Sequence, residues 1–135
     1  MQRRTFLALT GAATIAPLTV HAAPLDYTPG LVTERLAAGE TVFVDFKASW
    51  CSTCAAQSRV LDSLKAANPA YEANITFVDV DWDTYGNGDL ANRLNIPRRS
   101  TLVVLRGDQE LGRIVAGTAQ RDIQALMDIA LSASS

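Results

Sequence analysis

Residues 44–61, VDFKASWCSTCAAQSRVL, join an apolar run to a helix-like spacing, and at the joint stand the only two cysteines of the chain, Cys51 and Cys54. The segment TVFVDFKA (41–48) is β-branched and aromatic, and Val42, Phe43, Val44 and Phe46 make it apolar on both faces. That composition predicts a strand at the centre of a covered sheet. Ala56, Val60, Leu64 and Ala67 are spaced by four, four and three residues, one face of a helix that Asn68-Pro69 ends. A strand that runs into a helix with a cysteine at the junction sets how the rest of the chain is read.

Upstream, Leu31, Val32, Arg35 and Leu36 give a short helical pattern stopped by Gly39. Downstream, ITFVDV (75–80) predicts a second buried strand and GDLANRL (88–94) a short helix. TLVVLRGDQELGRIVAG (101–117) reads as two strands joined at Gly107-Asp108. Ile123, Leu126, Met127, Ala130 and Leu131 mark an amphipathic closing helix. The order helix, strand, helix, strand, helix, strand, strand, helix predicts an α/β fold with a mixed sheet and helices on both faces.

The composition, 135 residues with 48% hydrophobic, 19% charged and mean hydropathy +0.09, suits one compact domain. Residues 1–22 read separately, as an export signal. Arg3 and Arg4 precede an apolar stretch from Phe6 to about Leu18, and the small-residue VHA ends at Ala22. The stretch is broken by Gly11, Thr14 and Pro17 and falls short of the roughly 20 apolar residues of a membrane span. RRTFL also resembles the twin-arginine signal pattern, so general secretion and twin-arginine export are both open. The expectation is a signal over 1–22, one domain over 23–135, and a periplasmic or otherwise exported product after cleavage near Ala22. His21, the only histidine, precedes that cut. Without Arg3 and Arg4 the 12 basic residues become 10 against 14 acidic ones, a net charge of about −4 with no basic stripe, which excludes nucleic acid as a partner.

Three readings of the cysteine pair compete. A structural disulfide across so short a loop removes little unfolded-chain entropy. Structural zinc wants four Cys or His ligands, and the mature chain offers two. Redox chemistry accounts for the placement, because a helix N-terminus favours thiolate over thiol and a second thiol three residues on can attack a mixed disulfide held by the first.

VDFKASWCSTC (44–54) resembles the VDFWAxWCxxC of the thioredoxin family, and the element order extends the resemblance from about Leu31 onward. VFVDFKASWC and RLNIP…TLVVL are similar in particular to exported thioredoxin-like domains, including the C-terminal domain of the membrane disulfide reductant transporter of the Dsb system. The resemblance implies a thioredoxin-like three-layer α/β/α fold around a central mixed sheet, and a thiol-disulfide oxidoreductase without organic cofactor or metal. Carried over by residue, Cys51 matches the exposed nucleophile, Cys54 the buried resolving thiol, and Asp45 the buried acid that helps deprotonate it. An ordinary strand-end aspartate is the alternative for Asp45. Trp50 matches the aromatic that shelters the disulfide, and Lys47 stands where the family often has another aromatic.

The family's cis-proline, whose backbone pairs with the bound client, falls at Ser100. A cis bond there would cost about 2.5 to 4 kcal/mol, and a serine would instead bring a hydroxyl near Cys51. Arg98 and Arg99 precede it, either as a solvated pair or facing the nucleophile and an acidic partner. Asp79, Asp81 and Asp83 alternate, which predicts one side of a strand and its end, with Asp79 near Asp45. The implied partners are protein disulfide or thiol substrates and a membrane electron donor, with the chain acting as a monomer. Ser52-Thr53 lacks the histidine associated with strong oxidants, which favours a reductase. The competing class is a soft-metal module holding Cu(I) between Cys51 and Cys54.

Overall fold

The structure is a computed structural model that describes residues 23–135; residues 1–22, read above as an export signal and including His21, lie outside the described residues. Its centre is the predicted strand, here β2 (Thr41–Lys47), buried from Thr41 through Phe46. β1 (Leu25–Asp26) and β3 (Thr76–Asp81) run parallel to it, whereas β4 (Thr101–Arg106) and β5 (Gln109–Val115) are antiparallel, giving the order β1-β3-β2-β4-β5. The β4–β5 turn is Gly107-Asp108 as read from sequence, and Gly107 takes the positive φ of 59° that a two-residue hairpin asks of its first central position.

Because side chains alternate across a strand, β2 serves two cores. Phe43 joins Leu102 and Val104 of β4 beneath α2 (Ser52–Ala67), α3 (Ala70–Asn74) and α6 (Gln120–Ala133), which contribute Leu61, Leu64, Tyr71, Ile123, Leu126 and Met127. Val42, Val44 and Phe46 join Val78, Val80, Val103 and Leu105 on the other face, closed by Val32 of α1 (Leu31–Ala37) and by Leu90 and Ala91 of α5 (Asp89–Arg93). Each such side chain fully withdrawn from water contributes about 1.5–3 kcal/mol before the entropy of ordering it. The three-layer α/β/α arrangement follows the sequence expectation.

Three elements go beyond it. β1 is a two-residue edge pairing on β3, α3 restarts the chain in a helix after Pro69, and α4 (Trp82–Tyr85) turns it away at the end of β3. The last one corrects the alternating aspartates. Asp79 and Asp81 lie on β3, but Asp83 belongs to α4 and faces elsewhere. As the sequence reading placed it, Cys51 stands at the N-terminus of helix α2, as its N-cap, and Cys54 lies in the first turn. No helix among the described residues is long and apolar enough to cross a membrane.

Candidate active site

β2 delivers the chain to the N-terminus of α2, and the Cys51 sulfur caps that helix by accepting from the Cys54 amide at 3.1 Å. A 16-residue helix leaves its first amides unpaired and its dipole positive at this end, so a negative sulfur is favoured there. Cys51 and Cys54 are both free thiols. The expected exposed nucleophile is in fact 4% exposed, and Cys54 lies deeper still at 1%. The guanidinium of Arg99 stacks 4.4 Å over the Trp50 ring and is among the groups that lower the Cys51 thiol.

Trp50 itself is not core. It is 59% exposed, and its indole N–H donates to both carboxylate oxygens of Asp83 at 3.0 Å. Of the two readings for the arginine pair, the solvated one fails for Arg99. Arg98 turns back to donate from Nε to the Arg99 carbonyl at 3.1 Å.

Ser100 is fully buried, and its bond to Arg99 is trans, since the described residues hold no cis peptide. The loop solves its geometry differently, with Ser100 in the left-handed region at φ 63°. That conformation costs a non-glycine residue about 1–2 kcal/mol and persists only where neighbours hold it. Here the Ser100 amide donates to the Phe46 carbonyl (2.7 Å), and the Ser100 carbonyl accepts from the Ala116 amide (2.8 Å) and from Gln57 Nε2 (3.0 Å). Gln57 also donates to the Gly117 carbonyl at 2.9 Å. Sequence reading missed Gln57; its signal was a polar residue three positions after Cys54 on the same helix face. The Ser100 hydroxyl lies 3.1 Å from both sulfurs.

The two thiols are pushed apart in acidity. Burial raises Cys51, but hydrogen bonds from the Cys54 thiol, the Ser100 hydroxyl, the Cys54 amide and Arg99 outweigh it and bring it from 9 down to about 7. Burial raises Cys54, and the neighbouring Cys51 raises it further. Beneath the pair, Asp45 faces Asp79 in the parallel register and opens into a pocket of about 230 Å³ lined also by Lys47, Ser58, Asp62 and Lys65. Asp45 Oδ1 is buried without a hydrogen-bond partner among the described residues, so the strand-end aspartate satisfied by backbone donors is not what is found at that oxygen. Desolvation first, then the Asp79 charge, raise its carboxyl to about 7, against the lowering pull of Lys47 and Lys65. Lys47 is half-buried, donates to Ser58 Oγ at 2.9 Å and stands 3.9 Å from Asp79. Among the described residues no group of three His, Cys, Asp or Glu side chains gathers as a metal site.

Comparison with known proteins points one way. The thioredoxin family profile matches residues 31–129. A mitochondrial thioredoxin of Schizosaccharomyces pombe is 32% identical over 81 residues, 60% of this chain, and the alignment spans only 56% of that protein's length. A thioredoxin of Aspergillus fumigatus is 27% identical over 97 residues, covering 72% of this chain and 84% of its own. Among solved structures, the Edwardsiella tarda protein Trxlp superposes with a TM-score of 0.66 at 30% identity, over 80% of this chain and 98% of the other.

Proposed function

The chain belongs to the thioredoxin family, whose homologues are thiol-disulfide oxidoreductases, and from that premise we propose that it is an exported reductase of protein disulfides. The observation that carries this reading is the split between a Cys51 sulfur bonded by the Cys54 amide and by side chains and a deeper Cys54 held neutral beside it.

The Cys51 thiolate attacks one sulfur of a client disulfide, forms a mixed disulfide with it and expels the other sulfur as a thiolate. Once the Cys51 sulfur is bonded and neutral, the two influences by which Cys51 raises Cys54 vanish, and Cys54 ionises more readily at the moment it must act. The Cys51 charge also raises Asp45, so the same event makes that carboxylate a more available acceptor for the departing proton. Cys54 then attacks Cys51, the client leaves reduced, and the protein retains two fewer electrons in a Cys51–Cys54 disulfide. The exposed Trp50 ring and Arg99 form the surface that meets the client, and Arg99 favours acidic clients.

The reductase direction is supported by a thiol lowered only to about 7, comparable to the value of about 7 for thioredoxin rather than about 3.5 for the oxidant DsbA. Export rests on the leader pattern of residues 1–22, and it in turn calls for a membrane donor to restore the dithiol of a chain acting as a monomer. Two measurements test the proposal. The reduced wild type should accelerate insulin reduction by dithiothreitol while Cys51→Ser stays at the dithiothreitol background. Equilibration in redox buffers should place the disulfide nearer −270 mV than −120 mV. An unaltered rate for Cys51→Ser would remove the enzyme reading, and a potential near about −120 mV would reverse its direction.

A further inference from the structure

We propose that Ser100 is a catalytic residue of the exchange, its hydroxyl donating to the Cys51 sulfur while that sulfur carries the charge and turning to the Cys54 sulfur when the charge moves there. The inference rests on the functional reading above and adds a group that a proline at this position cannot supply, since proline has no side-chain donor.

Two equal contacts carry it. The hydroxyl oxygen is 3.1 Å from Cys51 Sγ and 3.1 Å from Cys54 Sγ, and its single proton can point at only one of them at a time. Both sulfurs and the serine are buried, so the hydroxyl is a fixed donor between two sites of developing charge, where a preorganised dipole acts strongly. The backbone that carries the oxygen is held in place, because the Ser100 amide and carbonyl are anchored to Phe46, Ala116 and Gln57. Rotation about one C–O bond is all that redirects the proton.

In the dithiol, the hydroxyl and the Cys54 thiol both donate to the Cys51 thiolate, and Cys54 keeps its proton. After attack on the client, Cys51 is neutral and releases the donation, which swings to Cys54. The Cys54 proton goes to the Asp45 carboxylate, and Cys54 forms its bond to Cys51 as the client thiolate departs. Serine keeps its proton throughout and forms no covalent bond.

Ser100→Ala and Ser100→Gly together separate the hydroxyl from the backbone. Alanine keeps the strained left-handed position and glycine relieves it, so a purely structural role would move the two variants in opposite directions. The probe is 5,5′-dithiobis(2-nitrobenzoate), whose first released thiol reports attack by Cys51 and whose second reports resolution by Cys54. A parallel thiolate absorbance titration at 240 nm needs no client. Loss of a charge-assisted hydrogen bond should raise the Cys51 midpoint by about one pH unit in both variants and slow the second phase at pH 7 about tenfold. Midpoints and second-phase rates matching the wild type in both variants, with insulin reduction by the wild type intact, would overturn the role of Ser100 and leave the enzyme reading standing. A wild type that shows the serine-dependent midpoint and phase yet reduces no protein disulfide would instead remove the proposed function and retain the hydroxyl as a donor.

Discussion

A Cys54→Ser variant should hold its clients, accumulating mixed disulfides through Cys51 while its turnover falls about a thousandfold or more. The size of the effect follows from geometry. Cys54 is one helical turn from Cys51, shares the Ser100 hydroxyl with it and needs no encounter to attack, whereas a thiol from solution must collide with a sulfur that is only 4% exposed. Nonreducing electrophoresis of an extract incubated with the variant should show discrete adducts that collapse on reduction, and Cys51→Ser should show none. The asymmetry comes from burial and hydrogen bonding, not from the order of cysteines in the chain. If Cys51→Ser captured clients through Cys54 while Cys54→Ser did not, the roles assigned here would be exchanged.

The second large effect concerns Asp45, whose carboxyl is raised from 3.8 to about 7 by desolvation and by Asp79. Between those two values the folded state holds a proton that the unfolded state has released, so stability falls as pH rises through that interval. The cost at alkaline pH, on the order of 4 kcal/mol, is the difference converted at about 1.4 kcal/mol for each pH unit. Asp45→Asn should remove most of this dependence: similar to the wild type at pH 4, it should be more stable by several kcal/mol at pH 8 in urea denaturation. It should also slow resolution about a hundredfold near pH 7, the usual worth of a general base. Equal slopes for the two proteins, or a variant less stable at pH 8, would show that the carboxylate is well paired in the folded protein. A residue that destabilises the fold and speeds the chemistry is what a buried acid held for proton transfer looks like.

The sequence made the catalytic half of the fold readable because its signals are local. The all-apolar strand, the cysteine at its end and the Gly107-Asp108 hairpin each depend on neighbours within a few residues. The Asp45–Asp79 juxtaposition was also legible, since parallel buried strands put both on one face. What escaped depends on distant partners. Leu25–Asp26 is a strand only because the edge of β3 is open to it, and a two-residue pairing has no periodicity to detect. Of the α2 face read as Ala56, Val60, Leu64 and Ala67, Leu64 is buried and Val60 packs against the core, but Ala67 is exposed and the other buried side chains are Cys54, Gln57, Leu61 and Lys65. Polar Gln57 broke the apolar pattern, and it is buried because it answers the Ser100 and Gly117 carbonyls far along the chain. The left-handed Ser100 was likewise invisible, because Phe46 and Ala116, not its own neighbours, hold it.

All of this chemistry turns on the Cys54 amide and side-chain donors keeping the Cys51 sulfur ionised near neutrality while Cys54 stays protonated. Its most direct measurement is the rate of iodoacetamide alkylation of the reduced protein across pH, with the modified cysteine identified by mass spectrometry. A single early adduct on Cys51 with a midpoint near pH 7 is the expected result. A midpoint at the ordinary thiol value of about 8.5 or above, or first modification of Cys54, would contradict it.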